Sequence, residues 1–342
     1  MRAMQLTGFG GSGVLVYRED LPEPTPASNE VRVRVGAAGI NNTDIWTRRG
    51  AHGSPRDPEA WTGWRRTAFA FPRIQGADVA GHIDMVGPGV AEQRVGQRVL
   101  IDPMLYSGGE REMVSTGYLG SERDGGFAEW VTVPAVNAHR VNSSLSDAEL
   151  STFPTAYSTA LRMIGRAKLE PGETVLVTGA SGGVGTALLQ LAKLAGATVI
   201  ALSSAGRTER LRELGADLVL ARESDTDLAQ AIGVEVDVVA DVVAGPLFSQ
   251  VLGVLRPLGR YVVAGAIAGP LVESDLRTVY LNQLSLIGSS FGTHEDFAAI
   301  MGFIAEESLR PVLERTYPLS DLATAQADFI AKRFLGKLAV LP

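Results

Sequence analysis

The run Val175-Leu-Val-Thr-Gly-Ala-Ser-Gly-Gly-Val-Gly185 is where the spacing of this 342-residue chain most directly implies chemistry. Ala180, Gly182 and Gly185 take the places of a G-x-G-x-x-G fingerprint, with Ser181, Gly183 and Val184 between them. An apolar strand leads into the turn and an amphipathic helix leads out. In that context Gly182 lets the backbone approach a pyrophosphate, and Gly185 lets the helix pack against the strand. The first N–H groups of the helix and the positive end of its dipole then face the phosphates. Ser181 reads either as a phosphate ligand or as the small residue such a turn tolerates.

Which dinucleotide binds is decided at the end of the next strand. Enzymes that take NAD usually carry Asp or Glu there, accepting from the ribose hydroxyls. This chain reads Ala201-Leu-Ser-Ser-Ala-Gly-Arg207. Ser203 and Arg207 would offer a 2′-phosphate a hydroxyl and a guanidinium instead of a repelling carboxylate, and Arg222 would add a second cation. The expected cofactor is NADPH.

The elements that must position this turn follow from pattern. The first 140 or so residues are rich in Gly and Pro, with short strands expected at Val31–Val35, Ala80–Val86, Arg98–Ile101 and Phe127–Val133. They read as a β-rich, partly open barrel. From about Leu150 apolar strands alternate with helices. Strands are expected at Glu173–Thr178, Thr198–Leu202, Leu218–Leu220, Val236–Val243, Arg260–Ala264 and Leu284–Gly288, and helices at Gly185–Leu194 and Thr208–Leu214. That alternation predicts a doubly wound parallel sheet covered on both faces, an α/β Rossmann domain. Beyond Glu295, two helices and a last strand, Lys337–Leu341, are expected to return to the first domain. Arg48–Arg73, with Trp61, Trp64, Phe69 and Phe71, is too irregular for a helix. It reads as a lid, a wall of a substrate pocket, or an aromatic-anchored surface loop.

Composition narrows the function. The formal charge is −7 and no basic stripe appears, which argues against a nucleic-acid surface. The chain has no cysteine, which excludes disulfides, thiolate-bound metals and a cysteine nucleophile. His52, His82, His139 and His294 are scattered, without an i,i+4 pair, and read as surface or packing residues. The segment MRAMQLTGFGGSG lacks the apolar core of a leader, and no apolar run nears the ~20 residues of a membrane span. A soluble, cytoplasmic protein with a small-molecule substrate is expected.

Ala38-Gly-Ile-Asn-Asn-Thr-Asp44, Gly76-Ala-Asp-Val-Ala-Gly81, Gly125-Gly-Phe-Ala-Glu129, Thr155-Ala-Tyr-Ser-Thr159 and the Gly-rich turn together resemble the medium-chain dehydrogenase/reductase superfamily over essentially the whole chain. The resemblance implies a GroES-like substrate domain (1–141 and 289–342), a Rossmann cofactor domain (142–288) and an active site in the cleft between them. It also implies where a zinc alcohol dehydrogenase would hold its catalytic metal. Those places read Asn41, Ala77 with Asp78, and Thr155, of which only Asp78 is a zinc ligand type. The structural-zinc lobe would fall near Asp102–Arg123, again without cysteine.

A zinc-free enzyme similar to the quinone oxidoreductases is therefore expected. It would transfer hydride from NADPH to a quinone or activated alkene, with no metal. By the resemblance, Asn41 lines the site at the acceptor oxygen and Thr159 meets the nicotinamide ribose or ring. Ala264, Gly265 and Ser289 to Phe291 hold the carboxamide at the carboxyl edge of the sheet. Trp46 stands where several relatives have Tyr and could stack on a flat acceptor, and Tyr157 is a second catalytic candidate. Each has a plainer alternative: Asn41 as a turn cap, Thr159 as a helix N-cap. The alternative functions are a zinc-free NADP-dependent alcohol or ketone dehydrogenase, or an NADPH-binding protein with vestigial activity. A homodimer through the sixth strand, Asn282–Gly288, is expected.

Overall fold

The computed structural model describes residues 1–54, 56–66, 68–222 and 227–342. The chain divides into two compact units, Met1–Thr155 with Thr293–Pro342, and Ala156–Gly292. The breaks fall later in the chain than the expected 141/142 and 288/289. The reason is visible at the first break, where the short helix Asp147–Leu150 packs on the strands Glu30–Gly39 and Asp78–Val86 of the first unit.

In the first unit, seven strands form one largely antiparallel sheet. Leu313–Pro318 lies beside Lys337–Leu341, followed by Glu30–Gly39, Asp78–Val86, Arg98–Ile101 and Ala138–Arg140, while Trp130–Pro134 also pairs with Glu30–Gly39. Glu30–Gly39 buries Val31, Val33 and Val35 and turns Arg32 and Arg34 outward, the alternation expected of a strand with one covered face. A three-stranded sheet of Leu15–Arg18, Ala3–Leu6 and Arg73–Ile74 closes the other side. The core between them includes Met4, Ile40, Ile83, Phe127, Leu319 and Phe329.

A helix stands at Asn42–Arg49, inside the stretch read from the sequence as motif and irregular loop. Its residues, Asn-Thr-Asp-Ile-Trp-Thr-Arg-Arg, have no apolar period, so its ends and side bonds define it. Asp44 Oδ2 accepts from Asn41 N at 2.7 Å, Gly50 ends it in the left-handed region at φ +65°, and Arg48 Nε donates to Gln326 Oε1 at 2.8 Å.

The second unit is a six-stranded, all-parallel sheet in the order Leu218–Ala221, Thr198–Ser203, Thr174–Thr178, Val236–Asp241, Leu255–Val263 and Ser285–Gly288. In chain order this is 3-2-1-4-5-6, the doubly wound arrangement. The expected strand Arg260–Ala264 is longer than anticipated, because pairing with Val236–Asp241 starts at Leu255. Leu176, Ile200, Val239, Val251, Leu252 and Tyr261 build its core. Among the described residues, no helix is long and apolar enough to cross a membrane.

Gly81 shows how tightly the first sheet is drawn. A Cβ there would lie 2.1 Å from Arg34 O and 3.0 Å from Gly36 N, both backbone atoms on the neighbouring strand. Gly81→Ala is expected to destabilise the protein by about 1–3 kcal/mol, the usual cost of overpacking, read as a lower urea midpoint at unchanged slope. A wild-type midpoint would show that the strands separate freely at this point.

Candidate active site

The second unit carries the cofactor turn. Thr174–Thr178 ends at Gly179, whose φ of +57° turns the chain into the Gly-rich loop. The helix Gly183–Leu194 follows, with Gly182 as an extended N-cap. A Cβ on Gly185 would strike Gly179 O at 2.3 Å and Ala180 Cα at 2.6 Å, so helix and strand meet only because Gly stands there. A Cβ on Gly182 would meet only Gly179 O, at an ordinary 3.4 Å. Gly182 offers no capping side chain, which leaves the first-turn N–H groups for a ligand.

The other expected cofactor residues gather at the carboxyl ends of these strands. Ser203 ends the second strand, and its buried Oγ has no hydrogen-bond partner. Arg207 Nη1 donates to Ser181 Oγ at 2.8 Å and to Ser204 Oγ at 2.6 Å, which ties a guanidinium to the Gly-rich turn. Arg222 is exposed, and its N–H donates to Ser203 O at 2.8 Å. Ala264 and Gly265 follow the fifth strand and are half-buried, while Ser289 follows the sixth with a buried, unpartnered Oγ. Phe291 is buried. Two orphaned hydroxyls at one sheet edge fit a ligand that would complete them.

Two expectations for this unit change. Thr159 is buried inside the helix Pro154–Ala167, five residues from its start, so it is not an N-cap. Tyr157 does not suit the proton-donor role. Its ring is fully buried, its hydroxyl accepts from Gln190 Nε2 at 3.0 Å, and burial pushes the phenol pKa up, away from any useful range.

The first unit carries a buried polar cluster at the positions singled out for a metal. Lys337 Nζ donates to Asn41 Oδ1 at 2.5 Å and to Asp78 Oδ2 at 2.9 Å. Asp78 Oδ1 accepts from Thr155 N at 2.9 Å and from Thr155 Oγ1 at 2.5 Å. Asp78 is 0% exposed, Lys337 3% and Asn41 7%, so this is an ion pair out of water, satisfied on both carboxylate oxygens. The exception is Asn41 Nδ2, buried with no partner. Asn41 precedes a helix, as its plainer alternative required, but its backbone N–H makes the capping bond to Asp44 while the carboxamide goes to Lys337. Burial, with the nearby Asp78 carboxylate, raises the Asp44 carboxyl to about 7. Lys332, held to Asn42 Oδ1 and over the Phe329 ring, is lowered to about 7 by burial and by Lys337.

Lys337 was not picked out from the sequence. A signal exists in Gly336-Lys-Leu-Ala-Val-Leu341: a strand apolar on both faces is buried on both, so a Lys opening it needs an internal partner. His294 was read as a surface or packing residue, yet its Nδ1 lies 2.6 Å from Asp102 Oδ2 and its Nε2 3.0 Å from Tyr106 O. The bond to Asp102 raises its pKa. Among the described residues, no three His, Asp or Glu side chains are grouped to hold a metal ion.

Trp46 is half-buried, 5.9 Å from the His52 ring. The aromatic segment splits into two groups. Phe9 gathers Trp61, Phe69 and Phe71 at 4.9–6.4 Å, while Trp64 packs edge-on to His52 and Tyr118. Pro55 and Thr67 of this segment lie outside the described residues.

Two family models match the chain, an alcohol dehydrogenase GroES-like domain over residues 27–143 and a zinc-binding dehydrogenase domain over residues 183–306. The quinone oxidoreductase of Rattus norvegicus is 30% identical, covering 100% of this chain and 98% of its own. An NAD-dependent alcohol dehydrogenase of Sulfurisphaera tokodaii is 29% identical over the full length of both chains. A structure from Sinorhizobium meliloti 1021, under the provisional name of an alcohol dehydrogenase, is 50% identical with a TM-score of 0.97, covering 100% of this chain and 96% of its own.

Burial, with Arg66 adding to it, drives the His52 imidazole down to about 4. Thr47 Oγ1 lies 3.2 Å from its Nε2. A depressed folded pKa contributes stability above the unfolded value of about 6.5, and that stability is lost as the pH falls toward 4. Between pH 7 and 4.5, His52→Gln is expected to lose less unfolding free energy than wild type, by about 2 kcal/mol in urea titrations. Equal losses would mean that folding leaves the affinity of the imidazole for protons unchanged.

Proposed function

Because the chain belongs to the medium-chain dehydrogenase/reductase superfamily of oxidoreductases, we propose that it reduces quinones or activated alkenes with NADPH and without a metal. The observation that carries this reading is Lys337. Its ammonium fills the space among Asn41, Asp78 and Thr155, where a zinc enzyme of this superfamily would hold its ion. An amide, a hydroxyl and a carboxylate already neutralised by Lys337 do not suit a divalent cation. Without that Lewis acid the acceptor must be electrophilic by itself, as quinones and enones are.

Ala180 to Gly185 would hold the pyrophosphate, Ser203 and Arg207 the 2′-phosphate, and Thr159, Ala264, Gly265 and Ser289 the nicotinamide end. When bound, the reduced nicotinamide supplies a hydride. The chain's own contribution to the acceptor is the Asn41 Nδ2 donor, which meets the oxygen that gains charge. Trp46 would offer its flat face to a planar acceptor. A zinc-free alcohol or ketone dehydrogenase is the second reading, favoured by the two alcohol dehydrogenase relatives.

The test is NADPH consumption by metal-stripped enzyme across quinones, enones and simple ketones, with NADH in parallel. Quinone or enone turnover favouring NADPH is expected. Turnover of ketones alone would move the second reading ahead, and zinc-dependent activity would overturn the metal-free reading. Arg207→Ala should raise the KM for NADPH roughly 10- to 100-fold, the worth of one charged hydrogen bond, and leave that for NADH nearly unchanged. Equal effects on both cofactors would remove Arg207 from the 2′-phosphate.

We also propose a homodimer formed through Ser285–Gly288, which is an edge strand of the parallel sheet. Leu286 on it and Leu276, Tyr280 and Leu281 on the preceding helix are exposed. Light scattering at micromolar protein should return about twice 36.2 kDa, and a monomer mass would refute the proposal.

A further inference from the structure

We infer that Lys337 is a positioning residue for the reduction, acting through the Asn41 carboxamide as the fixed positive charge of the substrate site. This rests on the reading of the chain as a metal-free quinone or enone reductase.

The argument begins with Asn41. An amide has one acceptor and one two-proton donor, which at a free site can exchange places by a flip about the last torsion. Here Lys337 Nζ holds Oδ1 at 2.5 Å, and an ammonium has no acceptor, so the flipped amide would set Nδ2 against a cation. The flip is forbidden. Nδ2 is thereby fixed as a donor, and it is the end left buried without a partner. An orphaned buried donor costs about 1–3 kcal/mol, which argues that a ligand oxygen completes it.

The ammonium does more than orient. A cation on Oδ1 withdraws charge from the amide and strengthens its N–H as a donor, the cooperativity of a hydrogen-bonded chain at low dielectric. The direction of charge flow matches the reaction. A bound dihydronicotinamide would supply hydride to the electrophilic carbon, forming a C–H bond as the π pair moved to the acceptor oxygen. That oxygen, held by Asn41 Nδ2, takes a proton from water once the cofactor is oxidised. Stabilisation grows as the oxygen becomes anionic, so the effect belongs in kcat more than in KM. Asp78 keeps the lysine in place, and Thr155 keeps Asp78 in place, through Oδ2 and Oδ1 respectively.

The experiment uses the full chain with NADPH and two acceptors, 1,4-benzoquinone and the less electrophilic 2-cyclohexen-1-one. Lys337→Met should lower kcat for the enone on the order of 100-fold, the size of losing one oxyanion donor, with the quinone less affected. The acceptor KM should stay within about threefold, and NADPH affinity, read by its fluorescence, should be unchanged. Asn41→Ala should cost about as much, and the double variant Asn41→Ala/Lys337→Met should cost little more than either alone, because both act through one amide. Should Lys337→Met fail to fold, leaving Asp78 unpaired, Asp78→Asn/Lys337→Met removes both charges and is read in its place. A folded variant lacking Lys337 that keeps wild-type kcat on the enone overturns the inference. So do additive losses in the Asn41 cycle, which would mark Lys337 as merely structural. If the wild-type enzyme turns over neither acceptor, the functional reading itself fails, and this inference with it.

Discussion

The structure depends on one buried ion pair, Lys337 with Asp78. Two opposite charges removed from water lose several kcal/mol of hydration each, and only close geometry with further hydrogen bonds offsets that. Here the further bonds come from separate parts of the chain: Asn41 ahead of a helix, Thr155 in the first turn of another, Asp78 and Lys337 each opening a strand. Each of the four stands at the start of its element. The pair and its hydrogen bonds therefore tie together the beginnings of four elements.

Legibility differed between the two units for a physical reason. The Gly-rich turn announces itself because its constraint is steric and local. Gly185 must lack a Cβ where the helix meets the strand, and any sequence that builds this turn displays that requirement. The parallel strands were readable because both of their faces are covered, which forces apolar runs. The polar cluster is held together by bonds spanning 77 to 296 residues, which no local window displays. Asn41 and Asp78 were visible through the family motifs they occupy, whereas Lys337 lies in none of those motifs. The helix Asn42–Arg49 was hidden because it is specified by its two ends and by Arg48, not by an apolar stripe. Tyr157 illustrates the opposite error. A phenol in a family motif invites a catalytic role, while its burial against Gln190 assigns it to packing.

The two units also divide the chemistry. At the carboxyl ends of the parallel strands the second unit leaves the hydroxyls of Ser203 and Ser289 unpartnered and a helix start without a side-chain cap, suited to phosphate and sugar oxygens. In the polar cluster of the first, the side-chain group left without a partner is an amide donor beside a cation, suited to an oxygen acquiring charge. The proposed reaction uses each for what its donors can do.

Chain order sets the sequence in which these parts become possible. The second unit is one uninterrupted stretch, Ala156–Gly292, and holds every one of its residues before the first unit does. Asp78 leaves the ribosome 259 residues ahead of its lysine, and until then is a carboxylate without its counter-ion. The first unit therefore cannot be complete until after the second has been synthesised. Its early strands precede the sheet of the second unit in the chain, and a chain clipped before Lys337 would hold all strands of that sheet and an incomplete set of those of the first unit. The strand that joins Leu313–Pro318 to Glu30–Gly39 also carries Lys337, so completing that sheet and pairing Asp78 are one event.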